Sequence, residues 1–347
     1  MIKCYAAYSK DKDLRLASSS GAMFSLLAIH IISKGGIVYG VKMTKDCYGA
    51  EYKRAVTSDD LSEIRGSKYF QAKVGDTYKS VKNDLISGRI VLFTGTGCYV
   101  NGLKTFLQKD YDNLICMDIV CHGTPSPELW KKYVMYREEQ KHSKMIYASF
   151  RNKDKYDWKG FEMKEIDENQ NEVWISRHID PYFTMFVKNI CLRPSCYTCS
   201  AKSYKLSDIT IADFWGIDKV APEMNDNLGI SLVIVRTDKG QHLFDLVQDF
   251  LERKEVRYED GVRDNKAEYE PYSKPKERET FFKDMNNLPF DKLSHRYVDV
   301  PLWKKYAQKM KRVFKQVFVR ERGGGTSKHI HTHEDYGMLL RFENKNC

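Results

Sequence analysis

The sequence predicts an α/β fold of mixed α+β character: a central mixed sheet flanked by helices, with an antiparallel strand insertion and a helical C-terminal extension. Three observations predict it. Up to about residue 145, short apolar runs alternate with helix-length amphipathic segments, the rhythm of β-α-β units. Between Met145 and Ser176 this gives way to short strands joined by polar turns. Beyond about residue 260 the chain is charged and less periodic. At 347 residues and 42% hydrophobic content the chain can bury a full core, which excludes global disorder.

The elements follow in order. Lys3 to Tyr8 reads as a strand. Ser18-Ser19-Ser20-Gly21 opens an apolar-periodic helix to about Ser33, its serines offering N-cap oxygens. Gly35-Gly36 ends that helix, and Ile37 to Lys42 is a strand. Lys79 to Ile86 is helical. Arg89 to Thr94 and Leu114 to Val120 are continuous apolar runs, as in strands buried on both faces, with a helix from Asn101 to Gln108 between them. Pro127 to Lys141 is helical. Met145 to Arg151, Phe161 to Ile166 and Glu172 to Ser176 are the inserted strands, and Tyr182 to Asn189 is a helix. Asp208 to Asp213 and Ser231 to Arg236 are strands, followed by a helix from Gly240 to Arg253. Lys304 to Phe318 reads as a basic helix, and Gly323-Gly324-Gly325 as a flexible joint. The expected divisions are an α/β half over 1–145, a second half with the antiparallel strands and a cysteine cluster over 146–260, a basic helical extension over 261–322 and a flexible tail over 323–347.

Charge and hydropathy exclude several function classes. The net charge of +10 is spread along the chain, which gives no nucleic-acid footprint. The most apolar stretch, Gly21 to Ser33, is too short to span a bilayer and contains His30. It starts late, follows a mixed-charge segment and lacks a small-residue cleavage site, so it is no signal peptide either. The expectation is a cytoplasmic protein with no membrane span. Nine cysteines in such a protein point to metal or redox chemistry more than to disulfides.

Cys4, Cys47, Cys116 and Cys347 stand alone, and Cys116 reads as a small buried hydrophobe inside a strand. The other five are grouped. Cys191-x4-Cys196-x2-Cys199 is a compact cluster, Cys98 follows the Arg89 strand and Cys121 follows the next. If those two strands are parallel neighbours, Cys98 and Cys121 emerge at one sheet edge. With Cys196 and Cys199 they can complete a four-thiolate site. Such a site takes zinc or an iron–sulfur cluster, and spacing does not separate the two. The x4-x2 spacing also matches plant-type [2Fe–2S] ligation, which would recruit Cys191. Three segments look like phosphate cradles: Ser18 to Ala22 at a helix start, Arg65-Gly66-Ser67-Lys68-Tyr69 with two cations about a glycine, and the strand end Thr94-Gly95-Thr96-Gly97. Cradles and thiolates in one chain suggest a phosphate-bearing redox cofactor beside a metal centre.

These segments carry a family resemblance. Ser18-Ser19-Ser20-Gly21, Arg65-Gly66-Ser67-Lys68-Tyr69, Phe93-Thr94-Gly95-Thr96-Gly97-Cys98, Cys121-His122-Gly123-Thr124-Pro125-Ser126-Pro127, Arg193-Pro194-Ser195-Cys196-Tyr197-Thr198-Cys199 and Ser207-Asp208-Ile209-Thr210-Ile211-Ala212-Asp213-Phe214-Trp215-Gly216 occur in this order. Over residues 1 to about 255 the chain resembles the β subunit family of coenzyme F420 hydrogenases and dehydrogenases. The resemblance implies a flavin-dependent oxidoreductase holding FAD and a [4Fe–4S] cluster, with the flavin in the 1–145 half. It implies flavin contacts at Ser20, Gly21, Arg65, Ser67, Lys68, Thr94 and Thr96, and cluster ligation by Cys98, Cys121, Cys196 and Cys199. His122, beside a ligand, is then the candidate catalytic proton donor, with fixing of its own loop as the alternative role.

The sequence also departs from the family pattern. Many relatives carry an N-terminal ferredoxin-like domain with two Cys-x2-Cys-x2-Cys runs, which this sequence does not contain. The implied electron donor is then a separate ferredoxin-like protein, and the acceptor an organic small molecule. Ser20-Gly21-Ala22 stands for the usual Ser-Gly-Gly, and Thr96-Gly97-Cys98-Tyr99 for Thr-Pro-Cys-Gln. Cys191 replaces a commonly apolar residue and is left out of the ligand set. Two other classes compete: a zinc-stapled, non-catalytic scaffold, and a partner protein for an enzyme of surface polysaccharide biosynthesis. Asp208 and Asp213 are ribose contacts or turn caps, and Trp158 and Trp215 wall a flavin or pack the core. His329, His331 and His333 form either a chelating run or an incidental polar one.

Overall fold

The computed structural model describes residues 2–155 and 157–298. The expected helix Lys304 to Phe318, the glycine joint and the histidine run lie outside these residues. The strands are β1 Lys3–Ser9, β2 Ile37–Met43, β3 Ala50–Ala55, β4 Val91–Thr96, β5 Leu114–Ile119, β6 Met145–Asn152, β7 Glu162–Asp167, β8 Glu172–Ser176, β9 Ile209–Asp213, β10 Ser231–Val235 and β11 Leu251–Val256. They form a mixed eight-stranded sheet, in the order β11-β1-β10-β9-β5-β4-β2-β3, and a small antiparallel sheet, β6-β7-β8. The fold class is the one expected from the sequence.

Direction within the large sheet matters for function. β2, β4, β5 and β9 are parallel neighbours. β1 is two antiparallel pairings away from β9, through β10, and so runs the same way. The carboxyl ends of β1, β2, β4, β5 and β9 therefore meet at one edge, where open α/β sheets bind ligands.

Continuous apolar runs form these strands because both sheet faces are covered. Leu92 packs with the helix Met23–Ser33 on one face. Its neighbour Phe93 packs with Val81, Val100 and Leu103 of the helices Thr77–Ile86 and Gly97–Leu107 on the other. Leu92, Phe93, Val100 and Leu103 are wholly buried, each worth about 1.5–3 kcal/mol of apolar transfer. The sheet crosses the division expected at 145/146: β9, β10 and β11 lie in it with strands of the first half.

Several expectations are corrected. The helix expected from Gly240 to Arg253 is instead the helix Asp238–Asp245, a short 3-10 turn and strand β11. β11 pairs along the otherwise open side of β1 from Cys4 to Ser9. The charged residues Glu252, Lys254 and Glu255 are exposed along this edge strand. β3 and the helix Ser58–Ile64 went unpredicted because Glu51, Lys53 and Arg54 mask the alternation of β3. That helix does carry a local start signal, a Thr57–Asp60 capping box.

The serine run does not cap its helix. Met23–Ser33 starts from Ala22 in the left-handed region (φ 68°), with no side-chain cap. The hydroxyls serve elsewhere: Ser18 donates to the Leu14 carbonyl at 2.8 Å, and Ser20 to that of Ile230 at 2.7 Å. Gly21 lies where a Cβ would meet the Ala7 carbonyl oxygen at 2.4 Å and the Ser231 nitrogen at 2.7 Å. Backbone atoms cannot yield as a flexible side chain can, so glycine is the residue that fits. No helix among the described residues is long and apolar enough to cross a membrane.

Candidate functional site

Two adjoining hollows open at the carboxyl edge of the sheet. The larger, about 260 Å³, is lined by Ser18–Ser20 after β1, by Arg65–Phe70, by Thr94–Thr96 of β4, by Cys121–Thr124 after β5 and by Ala212 and Asp213 of β9. Met23, Val41, Ile64, Met117 and Ile211 give it an apolar lining. The smaller, about 30 Å³, is lined by Cys98, Cys121, Cys196 and Cys199 together with Asp118, Lys202 and Lys205. Thr96, Ile119, Cys121, His122, Gly123 and Thr124 line both hollows.

Each sulfur arrives for a local reason. β4 and β5 are parallel, with Thr96 opposite Ile119, so the residues that follow them leave at one edge. Cys98 sits in the first turn of the helix Gly97–Leu107, where backbone N–H groups lack helical partners. Its sulfur is 3.1 Å from the Thr96 hydroxyl. Cys196 and Cys199 are brought in by a backbone splice. The Arg193 N–H donates to the Thr124 carbonyl at 2.9 Å, the Ser126 N–H donates to that of Cys191 at 3.0 Å, and Pro125 bridges Leu192. The Thr124 N–H then points to the Cys196 sulfur at 3.4 Å.

Burial pushes the Cys121 thiol up to about 11, against the pull of the Lys202 ammonium, and the neighbouring Cys98 and Cys196 thiols add to the rise. Burial also raises Cys196. A bound cationic metal would reverse this by taking the thiolate. All four cysteines are free of disulfides. Among the described residues no three or more His, Cys, Asp or Glu side chains are grouped as a shell for a single metal ion. Lys202 donates to the Cys121 and Ala267 carbonyls and so ties the floor of the cleft.

Arg65, Ser67, Lys68, Thr94, Thr96 and Ser20 line the larger cavity, whereas Gly21 packs beneath it against the sheet. The Thr94 and Ser20 hydroxyls donate to the Tyr39 and Ile230 carbonyls. The Ser67 N–H donates to the Ser19 hydroxyl at 3.2 Å. Arg65 donates from Nε to the Ser25 hydroxyl at 3.1 Å, and Lys68 to the Arg65 carbonyl at 2.8 Å. Neither cation has a carboxylate partner among the described residues. Burial lowers Arg65 and pushes Lys68 down to about 7. Two cations held against an apolar cavity fit an anionic group such as a dinucleotide phosphate.

His122 Nε2 lies 2.6 Å from the Asn189 side-chain oxygen, with its ring 4.0 Å from that of Tyr272 and 4.7 Å from that of Phe186. It therefore lines both hollows and is anchored by Asn189. Cys191 is wholly buried outside both. Asp208 is a cap: it accepts from the Cys116 N–H and the Thr237 hydroxyl. Trp158 is a core residue stacked on Trp215 at 5.2 Å. Asn189, Lys202 and Tyr272 were not foreseen, because no periodicity or spacing marks residues that act through long-range contacts.

A thiol-lined cleft shares a wall with a cation-bearing cavity on the carboxyl edge of a mixed sheet, the edge where open α/β sheets bind ligands. Two family models match: the N-terminal region of the coenzyme F420 hydrogenase/dehydrogenase beta subunit over residues 4–77, and its C terminus over residues 88–259. The chain belongs to this family of oxidoreductase subunits. Thirteen chains of solved structures match it. One comes from the xenon-derivatized F420-reducing [NiFe] hydrogenase complex of Methanosarcina barkeri. It is 18% identical, covers 76% of this chain and 86% of its own, and has a TM-score of 0.51. That likeness is one of fold. No curated protein matches.

Proposed function

We propose that the chain is an electron-transferring oxidoreductase that holds FAD in the larger cavity and a [4Fe–4S] cluster in the smaller one. It would exchange electrons between a ferredoxin-like donor and an organic small molecule. The observation that carries this reading is the shared wall, Thr96, Ile119 and Cys121–Thr124, between the cysteine cleft and the cation-bearing cavity. Four thiols set around a cleft suit a cluster whose irons each take one thiolate. They suit it better than one zinc ion, which needs all its sulfurs about 2.3 Å from a single point. When bound, the cluster supplies single electrons and the flavin couples them to two-electron chemistry.

The chain's own residues have defined parts. Cys98, Cys121, Cys196 and Cys199 would ligate the irons, and the Thr124 N–H would donate to the Cys196 sulfur, a contact that tunes potential. Arg65 and Lys68 would hold the flavin phosphates, with Ser20, Ser67, Thr94 and Thr96 about them. Met117 and Ile211 would keep water from the apolar part of the cavity. His122, fixed by Asn189, would hold a proton between the two hollows. Anaerobic purification followed by metal, sulfide and flavin analysis tests this. About four irons with matching sulfide, plus one FAD, are expected per chain; a colourless protein with stoichiometric zinc would sink it.

Lys68 adds a pH signature. Its ammonium, held down to about 7 in the free protein, must be protonated to pair with a phosphate. FAD affinity should therefore fall as the pH rises through about 7, by up to about tenfold per pH unit for one linked proton. Lys68→Arg should flatten the profile, as titration of FAD binding by fluorescence quenching can show. An unchanged slope in Lys68→Arg would remove Lys68 from the phosphate site.

A further inference from the structure

The small sheet β6-β7-β8 brings a second cationic group towards the larger cavity. Arg151, on β6, is 6% exposed and donates to the Asp213 carboxylate at 2.7 Å and the Ser19 carbonyl at 3.3 Å. Its Nε is buried with no hydrogen-bond partner among the described residues. Arg177 follows β8. Both guanidinium groups lie over the ring of Phe161, at 3.8 and 4.5 Å from its centroid. Arg177 donates only to His178 Nε2 at 3.3 Å and the Lys159 carbonyl at 3.4 Å, and has no carboxylate partner among the described residues. Among the described residues Asp213 is the carboxylate paired with Arg151, and Arg177 keeps its charge without one.

This charge lies beside the cavity. Asp213 and Tyr69 are cavity-lining residues. The charge of Arg151 bears on the Tyr69 hydroxyl, and Arg177 interacts with Arg151, Tyr69 and Asp213. The nearby Lys153 is engaged by the carbonyls of Arg15, Ser20 and Leu228. A half-buried guanidinium next to another, without a carboxylate of its own, is a poor arrangement for stability alone. It is a good one for an oxyanion, which a planar fork grips through paired hydrogen bonds.

We propose that Arg151 and Arg177, with the Tyr69 hydroxyl, form an anion subsite on the insertion side of the cavity that takes the carboxylate or phosphate of the organic substrate. The proposal rests on the oxidoreductase reading of that cavity. Arg65 and Lys68 belong to a different chain segment and serve the cofactor. Arg151, tied to Asp213, fixes the position of the subsite. Arg177, half-exposed, supplies the free charge.

The test uses the full chain and two probes, inorganic phosphate and acetate, titrated by calorimetry with and without saturating FAD. The tighter probe identifies the substrate's anionic end. Arg177→Gln should weaken the preferred anion by about tenfold or more, as expected for losing a hydrogen bond to a charged group. It should leave FAD affinity unchanged, and Arg177→Lys should recover part of the loss. Undiminished anion binding in Arg177→Gln overturns the proposal, as does a parallel loss of FAD, which would assign the pair to the cofactor. If the parent protein binds no FAD, the cofactor reading fails by itself, whereas the anion titration still reports on Arg177.

Discussion

Replacing Cys196 with serine is expected to strip iron and sulfide from the anaerobically purified protein while leaving it folded. Cys196 is held by a backbone splice rather than by its own side chain: Arg193 to Thr124 and Ser126 to Cys191 fix the segment in place. The sulfur contributes little packing, being part-exposed at the cleft, so its loss should barely move thermal stability of the metal-free chain. As a ligand it contributes far more. Removing even an outer partner of a metal ligand weakens binding by about 10–100-fold, and losing a ligand should exceed that. Iron and sulfide assays with visible absorption read the effect. Cys191→Ala is the companion measurement, since Cys191 is buried away from the cleft and should keep its iron. Full iron in Cys196→Ser, or loss in Cys191→Ala with retention in Cys196→Ser, would refute the ligand assignment.

The second large effect concerns what holds the insertion in place. Glu165, on β7, is wholly buried. It accepts from Arg137 at 3.0 Å and Lys141 at 3.0 Å, both on the helix Pro127–Lys141, and from the Tyr133 hydroxyl at 2.8 Å. The same hydroxyl lies 2.8 Å from the Asp180 carboxyl, which caps the helix Pro181–Val187. One O–H can donate to only one of two acceptors. Asp180, pushed up to about 7 by burial, can supply the second proton itself. Glu165→Ala would leave Arg137 and Lys141 as partly buried, unpaired cations, a loss of about 3–5 kcal/mol for breaking a buried pair from one side. Urea denaturation should show it as a lower midpoint with little change in slope. A loss below about 1 kcal/mol would mean that the network behaves as an exposed surface pair. Because this network joins β7 to two helices, the same variant should also weaken the Arg151–Arg177 subsite.

Much of the site could be read from the sequence because its parts are local. Phe93 to Cys98 and Cys121 to Gly123 each announce a buried strand ending in a glycine-containing turn. Two such strands in parallel must deliver their following residues to one edge. The two cations of Arg65 to Tyr69 were visible as a motif, and the structure sets them on the cavity wall without carboxylate partners among the described residues. Other features were misread for physical reasons. The serines before Met23 have the composition of a cap, yet Ala22 in the left-handed region starts the helix and the hydroxyls bond across the fold. Leu251 to Val256 has a helix-compatible composition, but the unpaired edge of β1 recruits it as a strand.

By itself, then, the sequence determined the layered α/β class, the buried strands, the inserted antiparallel segment and the residue types available for thiolate and phosphate chemistry. These are written in periodicities of two and 3.6 residues and in turns a few residues long. Tertiary structure alone decided that Pro125 and Leu192 pair, and hence that Cys196 and Cys199 reach Cys98 and Cys121. It alone decided that Gly21 underlies the cavity instead of lining it, and that Arg177 stands over Phe161 without a carboxylate partner among the described residues. Such outcomes depend on which backbone groups and charges from distant segments satisfy one another once the core has closed, and no local pattern in the chain encodes that choice.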